Sequence, residues 1–459
     1  MTAEQPQRAS SGVQPRFGRT ALETLAETFE AALDDRLAIV SGRVVELSTE
    51  HIRVEGLSKY TKLGDWVSIA TDVGDAIAET LRVERDTILV RTIEERHQPF
   101  LGAPVRLAST MKLRPDETWK GRVIDALGRP IDNGPPLARG RRSIPVDQAP
   151  PLALERQRVS EPVPTGVRVI DVFTPLCAGQ RIGIFAGSGV GKSTLLSMLT
   201  RGSSFDVTVF AAIGERGREV REFIDDTLAK AGLAKAVLVV STSDESPMMR
   251  RLAAKTAFTV AEYFRDEGQR VLLVFDSVTR YAHAVREIAL SSGEPPVSRG
   301  YPPSVFTDLP KLLERAGNAS GTGSITGVFS VLVDGDDHND PVADTLRGIL
   351  DGHIVLDRAI ADQGRFPAVD ILGSVSRLAP RVWSPSQKTA VRDLRGLISR
   401  FEETRDIRMI AGHKPNNDAE LDKAVRLVPA LYRYLTQSAE DLHPGETLDD
   451  MLRLMLRAS

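Results

Sequence analysis

The 459-residue sequence contains one cysteine, Cys177. That excludes an intramolecular disulfide and any cysteine-based zinc site, and it suits a reducing compartment. No run reaches the ~18–20 apolar residues needed to span a bilayer. The polar residues 1–17 carry Arg8 and Arg16 but no apolar core of signal-peptide length. The expectation is a cytoplasmic protein whose membrane contact is peripheral or made through a partner. Charge of one sign is also lacking: 59 Lys and Arg face 62 Asp and Glu, a net −3. No long-range field draws this chain onto nucleic acid. Aromatics are scarce at 5%, and the seven histidines lack metal-ligand spacing.

What is present is ordinary globular composition, 41% hydrophobic and 26% charged. The length exceeds one compact core, and roughly 150 residues per domain suggests about three. Residues 1–17, rich in Gln, Ser and Pro, read as disordered. Leu22, Leu25, Ala26, Phe29, Ala32 and Leu33 then fall at helical spacing. That helix either packs on its own chain or docks a partner. Residues 1–37 are assigned to this tail and amphipathic docking helix.

Short β-branched runs at 38–44, 51–54, 66–70 and 87–90, punctuated by Gly, Asp and Ser, predict a small β-barrel over 38–107. Residues 108–159 read as a loop-rich connection closed by the prolines at 145–151. From Thr165 onward, apolar runs at 181–186, 207–213, 236–241, 271–276, 323–333 and 352–356 alternate with helical patterns. That alternation indicates a parallel sheet covered on both faces, an α/β domain assigned to 108–380. The last segment, 381–459, reads as helical. Val391, Leu394, Leu397, Ile398 and Phe401 share one face, as do Leu421, Ala424, Val425, Val428, Leu431 and Leu435. There is no internal repeat.

The chemistry concentrates at Ala186-Gly187-Ser188-Gly189-Val190-Gly191-Lys192-Ser193-Thr194, between a strand-like and a helical run. This is a phosphate loop. Glycines let backbone N–H groups close around phosphate oxygens, and the following helix N-terminus adds partial positive charge. Lys192 reaches the β- and γ-phosphates, and the Ser193 hydroxyl coordinates Mg²⁺. The strict pattern begins with Gly where this chain has Ala186. The metal also needs a carboxylate, and Asp276 ends the apolar run 271–275, where strand ends face the ligand crevice. The alternative is a helix-capping aspartate. Glu215, following the apolar run 207–213, can orient and polarise the attacking water, with Glu219 as its competitor. The site is predicted to take ATP with Mg²⁺.

With those elements in place, the chain resembles the family of rotary ATPase catalytic β subunits and type III secretion ATPases, from about residue 38 to about 440. The resemblance rests on Thr165-Gly166-Val167-Arg168-Val169-Ile170-Asp171, the phosphate loop, 214–220, 274–280, Pro367-Ala368-Val369-Asp370 and Ser374-Val375-Ser376-Arg377. The wording of 214–223, Gly293-Glu294-Pro295-Pro296, 299–306 and 309–317 is similar to the protein-export members. The resemblance implies a RecA-like P-loop core preceded by the barrel, and a homohexamer with nucleotide between subunits. It implies that Glu215 is the catalytic glutamate and that Arg377 reaches into the neighbour's site. Arg216 would contact the terminal phosphate or pair with a nearby acid. Phe366 stands where rotary subunits carry an adenine-stacking aromatic, against the alternative of ordinary core. Ala411-Gly412-His413 departs from the Gly-Ala-Tyr of secretion ATPases, which puts any contact from that loop in doubt.

The leading functional reading is therefore an ATP-hydrolysing motor for type III protein export, in its flagellar version. The implied partners are a stalk-like regulator at the N-terminal helix, export-gate membrane proteins, export chaperones and secreted flagellar proteins. The implied place is the cytoplasmic side of the inner-membrane export apparatus. The alternatives are a virulence injectisome ATPase and a rotary ion-translocating catalytic subunit. An RNA translocase would need basic residues clustered with stacking aromatics. Residues 38–107 offer Trp66, Tyr60 and Phe100 without such clusters. A scaffold without hydrolysis is disfavoured by the chemical competence of Lys192, Ser193, Asp276, Glu215 and Arg377.

Overall fold

The computed structural model describes residues 40–201, 205–228, 232–333, 340–413, 415, 418–441 and the single positions 25, 449 and 453. The helix expected around residues 22–33 lies outside the described residues except for Leu25.

Six strands, Ser41–Leu47, Ile52–Glu55, Trp66–Thr71, Gly74–Val83, Thr87–Thr92 and Pro104–Ala108, close into an antiparallel barrel. Alternation along each strand sends Ile52 and Val54, Val67 and Ile69, Ala76 and Ala78, and Ile88 and Val90 into one core. The first strand approaches the second so closely that a Cβ at Gly42 would lie 2.3 Å from the Glu55 carbonyl. Only glycine fits there. The barrel is fastened to the next unit by polar contacts. Arg251 forms an ion pair with Glu79, the Ser246 hydroxyl donates to the Ile93 carbonyl at 2.6 Å, and Arg91 donates to Ser291 at 3.1 Å.

The main sheet runs in the order Val369–Ser376, Gly352–Leu356, Arg181–Ala186, Ser324–Leu332, Arg270–Asp276, Val207–Ile213, Ala236–Ser241, Val123–Ile124. Its central strands are mostly apolar and buried along their length because both faces are covered. Val271, Leu273 and Phe275 enter the core beneath the helices Pro247–Asp266 and Val278–Ser291. Leu272 and Val274, between them, enter the opposite core beneath the helix Lys192–Arg201. One strand thus serves two cores by its period of two.

Two elements depart from the sequence reading. Val123–Ile124, inside the expected loop-rich connection, pairs parallel with Leu238 and Val239 and extends the sheet. Val369–Ser376 adds an antiparallel edge strand to Gly352–Leu356, so the sheet is mixed. A two-residue strand carries no periodicity, and the edge strand, holding Gly373 and exposed Leu372 and Val375, carries no apolar run.

Beyond the sheet, the helices Pro385–Glu403 and Ala419–Leu435 pack together through Val391, Ile398, Ala424, Val428, Leu431 and Leu435. The first begins at a capping box in which Ser384 and Gln387 satisfy each other's backbone N–H groups, with Pro385 at the first turn. Gly412, at φ 70°, ends the helix Arg405–Ala411, and His413 Nε2 lies 2.7 Å from Asp422. Among the described residues no helix is long and apolar enough to cross a membrane.

Candidate active site

Parallel register brings several strand ends to one edge. Ala186 pairs with Leu332, and Ala212 pairs with Asp276. The loops leaving those ends enclose a cavity of about 540 Å³, lined by Gly187, Ser188, Gly189, Gly191, Lys192, Ser193 and Thr194 from the phosphate loop. Glu215, Arg216, Glu219, Asp276 and Arg280 line the rest of it. Val190 is the exception in the loop; it is buried in the core. Gly189 and Gly191 have φ of 78° and 96°, a backbone path that a side chain would strain. The Ser188 carbonyl accepts from Arg358 at 2.9 Å, which ties the tip of the loop to the next layer.

The charges converge at the floor. The Lys192 ammonium donates to Asp276 and lies 3.8 Å from Oε1 of Glu215. The Ser330 hydroxyl also donates to the buried Asp276. Burial raises the Glu215 pKa, as does the Asp276 charge, while Lys192 and Arg280 oppose them. Among the described residues, Oε1 of Glu215 and Nε of Arg280 are buried without a hydrogen-bond partner. Both belong to side chains that line the cavity, where a polar ligand would satisfy them.

Gly214, at φ 72°, lets Arg280 approach: a Cβ there would lie 2.9 Å from the Arg280 Cβ. The sequence reading assigned no role to Arg280. Its available clue was position, one helical turn past Asp276 on the helix Val278–Ser291. Arg216 lies at the rim with an exposed guanidinium 3.5 Å from Glu219. Rim position and acid pairing therefore coexist, and the competitor Glu219 is engaged with Arg216 rather than with Lys192.

Phe366 is 42% exposed and so is not core. A Cβ at Gly191 would lie 3.7 Å from its ring, so the ring stands against the phosphate loop at the cavity's flank. Arg377 is not among the cavity residues. It follows the edge strand, exposed, with its guanidinium donating to the Arg347 carbonyl at 2.8 Å. The structure thus brings Lys192, Ser193, Glu215 and Asp276 together and leaves Arg377 apart.

The motif from Thr165 to Asp171 also has a local explanation. The Asp171 carboxylate accepts from Thr165 N, Thr165 Oγ1 and Gly166 N at 2.8–2.9 Å, fixing the turn before the helix Arg168–Phe173. Burial pushes Asp171 up to about 6 against the pull of those hydrogen bonds.

The donor set suits a triphosphate with a hard divalent cation. The Ser193 hydroxyl and the Asp276 carboxylate line the cavity as hard oxygen donors, a set that fits a divalent cation shared with bound phosphates.

The chain is similar to known proteins over most of its length. The model of the ATP synthase alpha/beta family, nucleotide-binding domain, matches residues 166–376, and that of the T3SS EscN ATPase C-terminal domain matches 383–453. The flagellum-specific ATP synthase of Agrobacterium fabrum (strain C58 / ATCC 33970) is 54% identical over 403 residues, covering 87% of this chain and 85% of that protein. Among solved structures, the assembled ATPase EscN of the enteropathogenic E. coli type III secretion system superposes with a TM-score of 0.83 at 39% identity. The match covers 91% of this chain and 99% of that one. EscN in complex with its central stalk EscO gives 0.81 at 38% identity with the same coverage.

Proposed function

Since the chain belongs to the ATP synthase alpha/beta family, among its flagellum-specific and type III secretion ATPases, we propose that it is the ATP-hydrolysing motor of bacterial flagellar protein export. The observation that carries this reading is the convergence of Lys192, Asp276 and Glu215 in one cavity while Arg377 stands outside it.

In this reading the backbone N–H groups of residues 187–194 and the Lys192 ammonium hold the β- and γ-phosphates of ATP. Ser193 Oγ and Asp276 would hold Mg²⁺ beside the phosphates, where it would supply charge neutralisation. Glu215 orients the attacking water and accepts its proton, its pKa raised by burial and by the Asp276 charge. Arg280 and Arg216 add positive charge at the γ-phosphate side of the cavity. Phe366 offers its ring face to the adenine.

Arg377 serves the site of a neighbouring copy, where an arginine of this kind is worth roughly 10³–10⁵ in rate. A chain carrying both Glu215 and Arg377 suits a ring of identical subunits, and the assembled EscN structure supports a homohexamer. The EscN–EscO complex supports a stalk-like partner, which we place at the N-terminal segment 1–37. Export-gate membrane proteins, chaperones and secreted flagellar proteins complete the proposed partners. The protein then works in the cytoplasm, held peripherally at the inner-membrane export apparatus. The proposed units are 1–37, 38–107, 108–380 and 381–459.

The injectisome is the second reading, favoured by the structural match to EscN at 39% identity. The flagellar reading has the higher identity, 54%. Deletion of the gene decides between them. Loss of flagellin export and swimming supports the flagellar role; loss of effector secretion with intact motility overturns it. Purified chain that neither binds nor hydrolyses Mg-ATP would sink the motor itself.

A further inference from the structure

Gln437 lies two residues beyond the helix Ala419–Leu435 and is only 3% exposed. Its backbone N–H donates to the Phe366 carbonyl at 2.8 Å. Its side-chain amide is used at both ends. Oε1 accepts from the Arg168 N–H at 2.6 Å, while Nε2 donates to the Gly166 carbonyl at 3.1 Å and the Asp441 carbonyl at 2.7 Å. Two further contacts grip the same stretches of chain. The Arg365 guanidinium stacks 3.7 Å above the Tyr432 ring, and that of Arg168 lies 4.6 Å above Tyr434. The end of one C-terminal helix therefore holds residues 365–366 with one set of bonds and 166–168 with another.

The consequence falls on Phe366. Phe366 is 42% exposed, so side-chain packing fixes its ring against Gly191 only in part. Backbone anchors supply the rest. The geometry points to Gln437 as a positioning residue for nucleotide affinity: its side chain, bonded to Arg168 and Gly166, seats the residue whose backbone N–H holds the Phe366 carbonyl, and so sets how the base platform stands beside the phosphate loop. This rests on the reading of Phe366 as that platform. A shift of the C-terminal helices is then felt at the base end of the nucleotide, while Lys192, Glu215 and Asp276, carried by the sheet, keep their places. The effect belongs in KM for ATP more than in kcat, because base contacts stabilise substrate and transition state alike.

The test is a double-mutant cycle on Mg-ATP hydrolysis by the full assembled chain, using Phe366→Ala, Gln437→Ala and the pair. Gln437→Ala keeps the backbone bond to Phe366 but removes the three side-chain bonds that seat it, and is expected to raise KM for ATP about tenfold and to lower kcat less than about threefold. The double variant should be no worse than Phe366→Ala alone, since both act along one path. Gln437→Met keeps the length of the side chain and loses all three of its hydrogen bonds, and should raise KM about as much as Gln437→Ala does. It also gives a second reading should the alanine variant fold poorly. Additive effects, or a fall in kcat at unchanged KM, would overturn the role of Gln437 and leave the platform intact. Unchanged KM in Phe366→Ala would remove the platform and this inference with it.

Discussion

The Lys192 ammonium donates a hydrogen bond to Asp276 and stands 3.8 Å from Oε1 of Glu215. One cation thus serves two carboxylates, Asp276 at the end of one strand and Glu215 in the loop that follows another. Removing it leaves both acids facing each other in a poorly solvated cavity. Lys192→Ala should abolish measurable ATP binding in a fluorescent-nucleotide titration and lower turnover by about 10²–10³. Binding at wild-type affinity would contradict the assignment.

Glu215→Gln keeps the shape of the side chain and loses the proton acceptor. ATP affinity should stay within about threefold of wild type while kcat falls about 10²–10⁴-fold. Full turnover in this variant would take Glu215 out of the reaction.

Arg377 lies away from the cavity of its own chain, so its contribution must cross an interface. Arg377→Ala should be inactive alone, by roughly 10³ or more. Mixed with Glu215→Gln, it should regain activity in those interfaces where an intact Glu215 meets an intact Arg377. Titration of the mixing ratio measures this, and a flat, inactive series would argue against a shared site.

Asp276 shares its carboxylate between Lys192, Ser330 and the proposed metal. Asp276→Asn should raise the Mg²⁺ concentration for half-maximal turnover by about 10–100-fold. Chelation of Mg²⁺ should abolish wild-type hydrolysis. An unchanged Mg²⁺ requirement in the variant would remove Asp276 from the metal site.

Asp171 gives a prediction about pH. Its folded pKa of about 6 lies above the ~3.9 of an unfolded aspartate, so between those values the native state holds a proton that the unfolded state releases. Its contribution to stability is full below about pH 4, declines as pH rises to about 6, and is flat above. The stability difference between wild type and Asp171→Asn, from denaturant unfolding at pH 4 to 7, should shrink by about 1–2 kcal/mol across that window. A pH-independent difference would refute it.

Legibility in the sequence followed the strength of local pattern. The strands Arg181–Ala186, Val207–Ile213 and Ala236–Ser241 have the bounds their apolar runs predict, because burial on both faces keeps polar residues few. Lys192 and Ser193 were legible because a phosphate loop is one continuous segment. Arg280, Ser330 and Gln437 were not. Each acts on a partner brought close only by the fold: Arg280 beside Glu215, Ser330 on Asp276, Gln437 on Phe366. The strand Val123–Ile124 was hidden for the same reason, since its partner lies more than a hundred residues away.

By itself the sequence determined which chemical groups exist and which segments become strands, helices or a phosphate-binding turn, since those depend on periodicity and backbone preference over a few residues. Tertiary structure alone decided that Lys192 would be shared between Glu215 and Asp276, that Phe366 would face Gly191, and that Arg377 would point away. Distances between residues far apart in the chain follow from sheet order and packing, which no local pattern encodes.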